Sequence, residues 1–430
     1  MMNRQIIVVG GGMSGVAAAI AAKKQGADTL LFERYGFFGG TSTASMVSPF
    51  MSFSAGNKQL VYGVFQEILD QLLKYGGRKA GSRAFDSETL KFVLYDLLDK
   101  YKVDYLLHTY LTGVVREGNL IKEIITESKN GQEHFAADFF VDTSADADLA
   151  AKAGVEFEVG REKDGLTQAM TLMFRIANVK MKEVLEYCRK NPENYSFIEE
   201  DINGVSIAGF KKEIEEERQI TKFDNPLDYI FFVTTHRDDL VIVNTTRSLR
   251  VSGLSNVDLS RAQSEGHHNA WQIYELLKKR IPGFEDSYIS NTATQVGVRE
   301  TRRIIGEYTM TGIDIVSAKK FDDVIARGSY PIDIHDPTGG GGQMIRLKEG
   351  EYYDIPFRSL IPKNINNLLV AGRCISATHE AQASIRITAT CTAMGEAAGN
   401  AAALCVKNNV TPVNLDIKEL QKYITSNISG

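Results

Sequence analysis

The sequence predicts an α/β fold whose parallel sheet is built from both ends of the chain. Gln5 to Val9 form an apolar, β-branched run that stops at glycine, which is typical of a strand buried on both faces of a parallel sheet. Near the C-terminus, a second apolar run ends at Gly372 and precedes an alanine-rich stretch from Ile387 to Lys407, which predicts a helix. Between about Val155 and Ser290 the pattern changes: Thr167 to Ile176 predicts a strand, Lys211 to Arg218 (KKEIEEER) predicts a solvated helical face, and Trp271 to Ile281 predicts an amphipathic helix. We therefore expect a discontinuous first domain, residues 1–155 and 290–430, and an inserted α+β substrate or cap domain, residues 156–289.

The composition is that of an ordinary globular protein. The chain has 430 residues, of which 43% are hydrophobic and 24% charged, enough for two or three domains. Its formal net charge of −5 leaves no basic surplus for binding a phosphate backbone, so nucleic acid is not an expected partner. The apolar stretch at the N-terminus is interrupted by glycines, so it is interpreted as structure and not as a targeting signal. No other apolar run reaches about 20 residues, and no membrane span is expected.

Cysteine and histidine spacing gives two further expectations. The four cysteines lie in no CxxC or metal-finger spacing, which favours a reducing, cytoplasmic compartment without disulfides. His267 and His268 are adjacent, so they do not present two ligands on one helical face, and no metal is expected.

The turn after the first strand carries a glycine motif. Gly10, Gly12 and Gly15 fit G-x-G-x-x-G at the start of a helix, and Ser14 lies in the same turn. In such a motif the first glycine permits a tight turn, the second lets the backbone approach a pyrophosphate, and the third allows close helix–strand packing. Thr29 to Phe32 predict the next strand, and Glu33 lies at its end, 18 residues beyond the last glycine, where a carboxylate accepts a hydrogen bond from a ribose hydroxyl. Together these features predict a Rossmann-type dinucleotide site.

The segment after Glu33 indicates which dinucleotide is bound. A second glycine pair, Gly39 and Gly40, follows the acid by six and seven residues. This resembles the extended fingerprint of the two-dinucleotide-binding-domain flavoproteins of the glutathione-reductase-like group, which bind FAD and not NAD(P). The resemblance implies that Arg34, Gly39, Gly40, Thr41 and Ser42 lie along the FAD pyrophosphate. Some relatives attach flavin to a histidine just after the glycine pair, but here the first histidine is His108, so FAD is expected to be non-covalent.

Two later segments return to the same cofactor. Short strands between Tyr105 and Ile125 predict an antiparallel meander beside the parallel sheet, followed by a strand and the sequence DTSADAD. Related flavoenzymes have D-A-T-G-D-A-D there, which implies that Ala145 and Asp146 abut FAD; because alanine replaces glycine, we expect no left-handed residue at this turn. In flavoproteins of this type a C-terminal strand, turn and helix close the FAD site, which implies that Gly372, Arg373, Ser384 and Ile385 contact the cofactor.

Six segments together resemble the bacterial FAD-dependent oxidoreductase family related to fumarate-reductase-type flavoproteins. They are ERYGFFGGTSTASMVSPF, VDTSADADLAAKAG, GVRETRRIIGEY, GSYPIDIHDP, IPFRSLIP and LLVAGRCISATHEAQASIR. The resemblance implies the fold and the cofactor, whereas the substrate varies across the family.

Arginines and histidines near the expected flavin are the catalytic candidates. In fumarate-reductase-type relatives, a loop after the last strand carries a His and an Arg that hold a substrate carboxylate, and His379 and Arg386 occupy that loop here. Arg386 could instead pair with Glu380 at the sheet edge. Arg299 or Arg302 is a second candidate, although neighbouring acids could neutralise either one. His335, before a four-glycine run that could act as a gate, is a candidate acid or base or an ordinary surface group.

Two functional classes follow. The first is an oxidoreductase that transfers a hydride between flavin N5 and a small or medium polar organic substrate, such as a carboxylate. The second is a flavin-carrying electron-transfer protein, against which the long middle region argues. An NAD(P)H-dependent disulfide reductase is excluded because the chain has neither a second GxGxxG nor a redox CxxC.

Overall fold

The computed structural model describes residues 3–201, 204–220, 227–339 and 341–428. Its strands are β1 Asn3–Val9, β2 Thr29–Phe32, β3 Ser54–Ala55, β4 Lys58–Gln59, β5 Asp104–Leu106, β6 Tyr110–Glu117, β7 Leu120–Ser128, β8 Gly131–Asp142, β9 Phe157–Val159, β10 Phe174–Ala177, β11 Tyr195–Asp201, β12 Gly204–Gly209, β13 Ile230–Thr234, β14 Leu240–Val243, β15 Tyr288–Thr292, β16 Arg302–Ile304, β17 Val324–Gly328, β18 Ile332–His335, β19 Gly342–Ile345, β20 Tyr353–Pro356 and β21 Leu368–Val370. Its helices are α1 Met13–Lys24, α2 Gly63–Lys74, α3 Ser87–Lys100, α4 Asp148–Lys152, α5 Met181–Lys190, α6 Lys211–Ile220, α7 Asn256–Arg280, α8 Gly312–Val316, α9 His379–Ile385, α10 Thr388–Asn408, α11 Ile417–Tyr423 and α12 Thr425–Ile428.

The first sheet joins both ends of the chain. Its order is β5-β2-β1-β8-β7-β6, and β21 also pairs with β8. β1 runs parallel to β2 and β8, and β8 runs parallel to β21, whereas β6, β7 and β8 form an antiparallel meander. The predicted α/β class, with a Rossmann-type parallel sheet and a meander, is therefore confirmed.

Two alanine-rich helices pack against each other on one face of this sheet. A Cβ at Gly395 of α10 would lie 2.0 Å from the carbonyl oxygen of Ser14, and one at Gly399 would lie 2.0 Å from that of Ala18 in α1. No side chain fits at either position, so the two backbones approach directly. This crossing holds the start of α10 beside the start of α1, and Ser14 Oγ donates to the carbonyl of Cys391 at 2.9 Å.

A second, antiparallel sheet forms the middle of the chain, with the order β11-β12-β13-β14-β10-β15. One of its faces packs on α5, α6 and α7 around a separate apolar core that includes Phe174, Phe210, Phe232 and Leu277. The other face meets the segment after the glycine pair, where Met46 packs with Leu172 and Val233. The second sheet therefore lies directly against the segment that follows Gly40.

Three details of the middle region differ from the sequence predictions. The strand predicted for 167–176 is regular only from Phe174, because the preceding residues make isolated bridges to Ser248 and Gly297. The helix predicted from Trp271 begins at Asn256, where Ser255 caps it by accepting from the N–H of Asp258. The segment KKEIEEER was predicted to be a solvated helical face, but it buries two acids with partners.

Those two acids are Glu213 and Glu217 in α6. Glu213 accepts from Tyr187 Oη at 2.5 Å and from Asn194 Nδ2 at 2.6 Å. Glu217 accepts from Arg280 Nε at 2.6 Å. Buried carboxylates are tolerated because each is paired, which a pattern of charges along the sequence does not reveal.

Candidate functional site

A groove, which we call the glycine groove, crosses the carboxyl ends of the parallel strands β1, β8 and β21. It is lined by Gly12, Met13, Ser14, Gly39, Gly40, Thr41, Thr143, Ala145, Ala371, Gly372, Arg373, Arg386, Thr388 and Cys391. In open α/β sheets, ligands bind at this edge. Met13, Thr143, Ala371, Thr388 and Cys391 were not among the predicted cofactor residues, although Thr143 and Ala371 directly follow strands that were predicted.

The three motif glycines have different steric environments. Gly10 has a φ of +102°, and a Cβ there would lie 2.6 Å from the carbonyl oxygen of Thr143. A Cβ at Gly15 would lie 1.8 Å from the carbonyl oxygen of Gly10, so this glycine permits α1 to pack against the turn. A Cβ at Gly12 would instead enter the groove, where the nearest atom is Gly40 Cα at 3.8 Å.

The groove suits an anionic dinucleotide. Gly12 and Gly40 face each other, so a side chain on either residue would fill the space between them. Helix α1 begins there without a side-chain cap and with no acidic residue in its first turn. Free N–H groups at a helix N-terminus attract an anion, so these residues fit a pyrophosphate.

Glu33 is held by backbone on the far side of the glycine turn. Its Oε2 accepts from the N–H of Gly11 at 2.7 Å, and its Oε1 accepts from that of Tyr35 at 2.9 Å. Burial raises the pKa of this carboxyl group. Each oxygen has a second lone pair, so a ribose hydroxyl remains a chemically suitable donor. Arg34 donates to Gln295 Oε1 at 3.2 Å and does not line the groove.

The turn after β8 corrects one sequence expectation. Ala145 adopts a left-handed conformation, with a φ of +69°, although it is not glycine. Asp142 stabilises this turn by accepting from the N–H and Oγ of Ser144 and from the N–H of Ala150, and burial raises its pKa to about 6. These bonds offset a strain of about 1 kcal/mol for a left-handed alanine.

Arg373 and Asp146, both predicted to bind the cofactor, bind each other. Arg373 also donates to the carbonyl of Ala145 at 3.0 Å, and Asp146 accepts from Thr301 Oγ1 at 2.8 Å. Arg373 therefore lines the groove with its charge already neutralised.

The segment predicted as a loop between the last strand and α10 contains a helix. Thr378 caps α9 by accepting from the N–H of Ala381. Ser384 Oγ donates to the carbonyl of Tyr330 at 2.5 Å and contacts Tyr353 Oη at 2.8 Å, and Ile385 is buried. Neither of these predicted cofactor residues lines the groove. Ser42 is also buried, with its Oγ 3.3 Å from Thr388 Oγ1 at the start of α10.

Helix α9 separates His379 from Arg386. His379 Nδ1 lies 2.9 Å from Glu300 Oε1, and Glu300 also pairs with Arg303. Arg302 donates to Asp148 Oδ1 at 2.9 Å and does not join His379 and Glu300. The structure therefore does not bring His379 and Arg386 together on one ligand position.

Arg386 instead joins a group that we call the Asp333 cluster, which consists of Tyr330, Asp333, His335 and Arg386. Asp333 Oδ2 is 3.0 Å from Tyr330 Oη, 3.2 Å from His335 Nε2 and 3.5 Å from Arg386 Nη2. Arg386 Nε is buried without a hydrogen-bond partner. Neither Tyr330 nor Asp333 was a sequence candidate, although both lie in the segment GSYPIDIHDP that carries His335.

Arg299 lies beside this cluster. It donates to the carbonyl of Ala169 at 2.5 Å and to Thr171 Oγ1 at 2.9 Å. Burial, and after it the charge of Arg386, lowers the pKa of Arg299 to about 10. Burial, and after it the charge of Arg299, lowers the pKa of His335 to about 4. Burial alone would raise the pKa of Asp333, but the hydrogen bond from His335 and the nearby positive charges hold it well below its usual range. Near neutral pH, two guanidinium groups thus face one carboxylate and a neutral imidazole.

The comparison with family models decides the assignment. A model described as FAD dependent oxidoreductase matches residues 5–424. The chain belongs to the FAD-dependent oxidoreductase family. FAD is therefore its cofactor, and the glycine groove fits the pyrophosphate of FAD.

Solved structures support the fold of this FAD-dependent oxidoreductase. A p-nitrophenol 4-monooxygenase from Pseudomonas putida DLL-E4 is 12% identical with a TM-score of 0.50, and the match covers 99% of this chain and 84% of that one. A geranylgeranyl bacteriochlorophyll reductase-like protein from Thermoplasma acidophilum is 13% identical with a TM-score of 0.50, covering 99% and 83%. No curated protein matches the sequence.

Among the described residues, no helix is both long and apolar enough to cross a membrane. In the same part of the chain, no group of three or more His, Cys, Asp or Glu side chains is arranged to hold a metal ion.

Proposed function

We propose that this FAD-dependent oxidoreductase transfers a hydride between flavin N5 and a small or medium organic acid, and that Arg386 anchors the substrate carboxylate. The observation that carries the proposal is the position of Arg386, which lines the glycine groove and also reaches the Asp333 cluster. One side chain therefore connects the cofactor site with a half-buried polar site. When bound, FAD supplies the hydride chemistry, and the protein supplies orientation and charge.

Arg386 has unused hydrogen-bonding capacity. Its Nε is buried without a partner, and its contacts to the carbonyl and side-chain oxygens of Asp333 are long, at 3.3 and 3.5 Å. A guanidinium group pairs bidentately with a carboxylate. An incoming carboxylate would give Arg386 the partner that it lacks, and Arg299 would add a second positive charge nearby.

His335 supplies a neutral acceptor beside this anchor. Its lowered pKa keeps the imidazole uncharged near neutral pH, so it can take a proton from a substrate hydroxyl or amine. His379, which was paired with Arg386 in the sequence analysis, is better regarded as a neighbour that orients Glu300.

The alternative is a flavin carrier that passes electrons to a partner protein. The position of the second sheet argues against it, because that sheet packs on the segment following Gly40. We retain residues 156–289 as a cap domain, inserted between residues 1–155 and 290–430. A carrier needs an exposed flavin edge, whereas a cap suits an enclosed substrate.

The test is substrate-driven flavin reduction without oxygen. Purified holoenzyme would be mixed anaerobically with a panel of small hydroxy, amino and unsaturated organic acids, and flavin absorbance would be followed by stopped flow. With an organic acid that reduces the flavin, Arg386→Ala should lower the second-order rate constant of flavin reduction roughly ten- to hundredfold, because a charge-assisted hydrogen bond contributes about 1.5–3 kcal/mol. FAD content should be unchanged.

Arg358→Ala is the matched control. Arg358 pairs with Asp323 at 3.0 Å on the surface, outside the groove and the Asp333 cluster, so its loss should leave the rate unaltered. If no acid bleaches the flavin while a protein partner does, the carrier alternative is correct. If the flavin of Arg386→Ala is reduced as fast as that of wild type, another residue holds the substrate carboxylate, and Arg299 is the next residue to test.

A further inference from the structure

Asp333 receives more donors than one oxygen can satisfy. Tyr330, His335 and Arg386 all approach its Oδ2, at 3.0, 3.2 and 3.5 Å. A carboxylate oxygen has two lone pairs, so three donors cannot all form full hydrogen bonds with it. Arg386 makes the longest of the three contacts and is therefore the donor that is most readily released.

The same carboxylate fixes the orientation of the proton on His335. A neutral imidazole carries one N–H, on either Nε2 or Nδ1, and an ionised carboxylate can only accept a hydrogen bond. Because His335 Nε2 faces Asp333, the proton must lie on Nε2 for this contact to be favourable. Nδ1 is then left as an acceptor.

We propose that Asp333 is a positioning residue for the proposed reaction: it holds His335 with Nδ1 free to accept a substrate proton, and it holds Arg386 loosely until a substrate carboxylate replaces it. This inference rests on the proposed function. Asp333 itself does not line the glycine groove.

The groups around His335 agree with this role. Asp333, on the same strand, faces the His335 ring. Arg386, at the end of α9, and Arg299 contribute positive charge near it. On the packed segment before β10, the uncharged Gln168 accepts from the backbone N–H of His335 at 3.3 Å. Tyr330 completes the set, and burial raises its pKa so that it remains a hydrogen-bond donor. Asp333 is thus the acceptor that the surrounding donors share.

The first test measures the tautomer directly and requires no substrate. Holoenzyme labelled with nitrogen-15 in histidine would be studied by long-range proton–nitrogen NMR, with the His335 signals assigned from their loss in His335→Gln. We expect the Nε2–H tautomer in wild type near neutral pH. In Asp333→Asn the amide can donate to Nε2, so a substantial population should shift to Nδ1–H, as happens when the orienting carboxylate of a catalytic triad becomes an amide. Asp333→Glu should restore Nε2–H.

Asp336→Asn is the control, because Asp336 lies in the same segment but accepts from Thr338 at 2.7 Å. It should leave the His335 signals unchanged. An Nδ1–H tautomer in wild type overturns the proposal, and this result stands even if Asp333→Asn fails to fold. An unchanged tautomer in a folded Asp333→Asn also overturns it.

The second test separates positioning from a purely structural role. Acetate serves as the probe, and its binding to holoenzyme is measured by calorimetry. Asp333→Asn should bind acetate roughly tenfold more tightly, because a competing negative charge beside Arg386 is removed. With a reducing acid, the same variant should show a lower limiting rate of flavin reduction. A structural role predicts weaker binding together with a lower rate, and that pair of results would overturn the proposal.

The two tests also distinguish failure of this inference from failure of the proposed function on which it rests. If wild-type holoenzyme does not bind acetate, or if Arg386→Ala binds acetate equally well, Arg386 is not the carboxylate anchor and the proposed function fails. The tautomer result still decides whether Asp333 orients His335.

Discussion

The glycine groove and the Asp333 cluster meet at Arg386 but are built in different ways. The groove is shaped mainly by backbone: Gly12 and Gly40 face each other across it, and Gly15 allows the helix to pack beneath it. The Asp333 cluster is made of side chains from residues 330–335 and from Arg386, with Arg299 beside them. Substitutions in the groove should therefore act by steric exclusion, and substitutions in the cluster should act through charge and proton position.

This difference explains which site the sequence reveals. A backbone-built groove requires glycine at fixed spacing, because no other residue has room, and such spacing is visible in the chain itself. A side-chain cluster requires only that the fold bring suitable groups together, and many loops carry Asp, His and Arg without doing so. Substitutions at neighbouring positions can separate these two kinds of construction experimentally.

The largest effect is expected at Gly15. Gly15→Ala would place a Cβ 1.8 Å from the carbonyl oxygen of Gly10, so the backbone of this turn must move. Overpacking of this kind costs about 3 kcal/mol. We expect the free energy of unfolding in urea, measured with excess FAD, to fall by about that amount.

Gly26→Ala is the control at the other end of α1. Gly26 has a φ of +83°, and no atom lies within 4 Å of its Cβ position, so only backbone strain of about 1 kcal/mol should appear. Equal losses for the two variants would show that Gly15 is not the packing point of the turn.

Gly12→Val should remove FAD while preserving the fold. The φ of Gly12 is −66°, which any residue can adopt, and the nearest atom to its Cβ position is Gly40 Cα at 3.8 Å. The added side chain therefore meets little protein and instead fills the space that fits the pyrophosphate. The measurements are FAD per polypeptide after gel filtration and far-ultraviolet circular dichroism of the same sample. Full FAD occupancy would mean that the pyrophosphate lies elsewhere, and a lost dichroism signal would place Gly12 with Gly15 as a packing residue.

Much of the first sheet could be predicted from the sequence. The strand predicted for Thr29 to Phe32 matches β2, and the helix predicted for Ile387 to Lys407 differs from α10 by one residue at each end. These elements are buried on several sides, so their apolar composition is continuous and their ends are marked by glycine or charge.

The cluster was less predictable because it depends on contacts between distant segments. His335 and Arg386 are 51 residues apart in sequence, and Asp333 connects them only because α9 lies against β18. His379 was placed with Arg386 because a loop was expected, whereas the Thr378 cap begins a helix that directs His379 to Glu300. The Ser, Thr and Asp caps of short helices are weak signals, since the same residues also favour turns.

The effect expected to be smallest near neutral pH is at His335: it changes the pH dependence of stability, and it tests the electrostatics of the cluster without substrate. The pKa of His335 is lowered to about 4 in the folded protein, against about 6.5 for an unfolded chain. As pH falls below about 6.5, the unfolded chain binds a proton that the folded protein does not, so stability decreases until about pH 4. The total contribution is on the order of 3 kcal/mol, since each pKa unit corresponds to about 1.4 kcal/mol. His335→Gln keeps a donor for Asp333 but removes the titration, so its free energy of unfolding should decline less steeply than that of wild type over this interval. Urea unfolding at a series of pH values measures the difference, with His268→Gln on the exposed face of α7 as the control. If the difference between His335→Gln and wild type stays constant across the interval, His335 is not held neutral by the cluster, and its role as a proton acceptor is wrong.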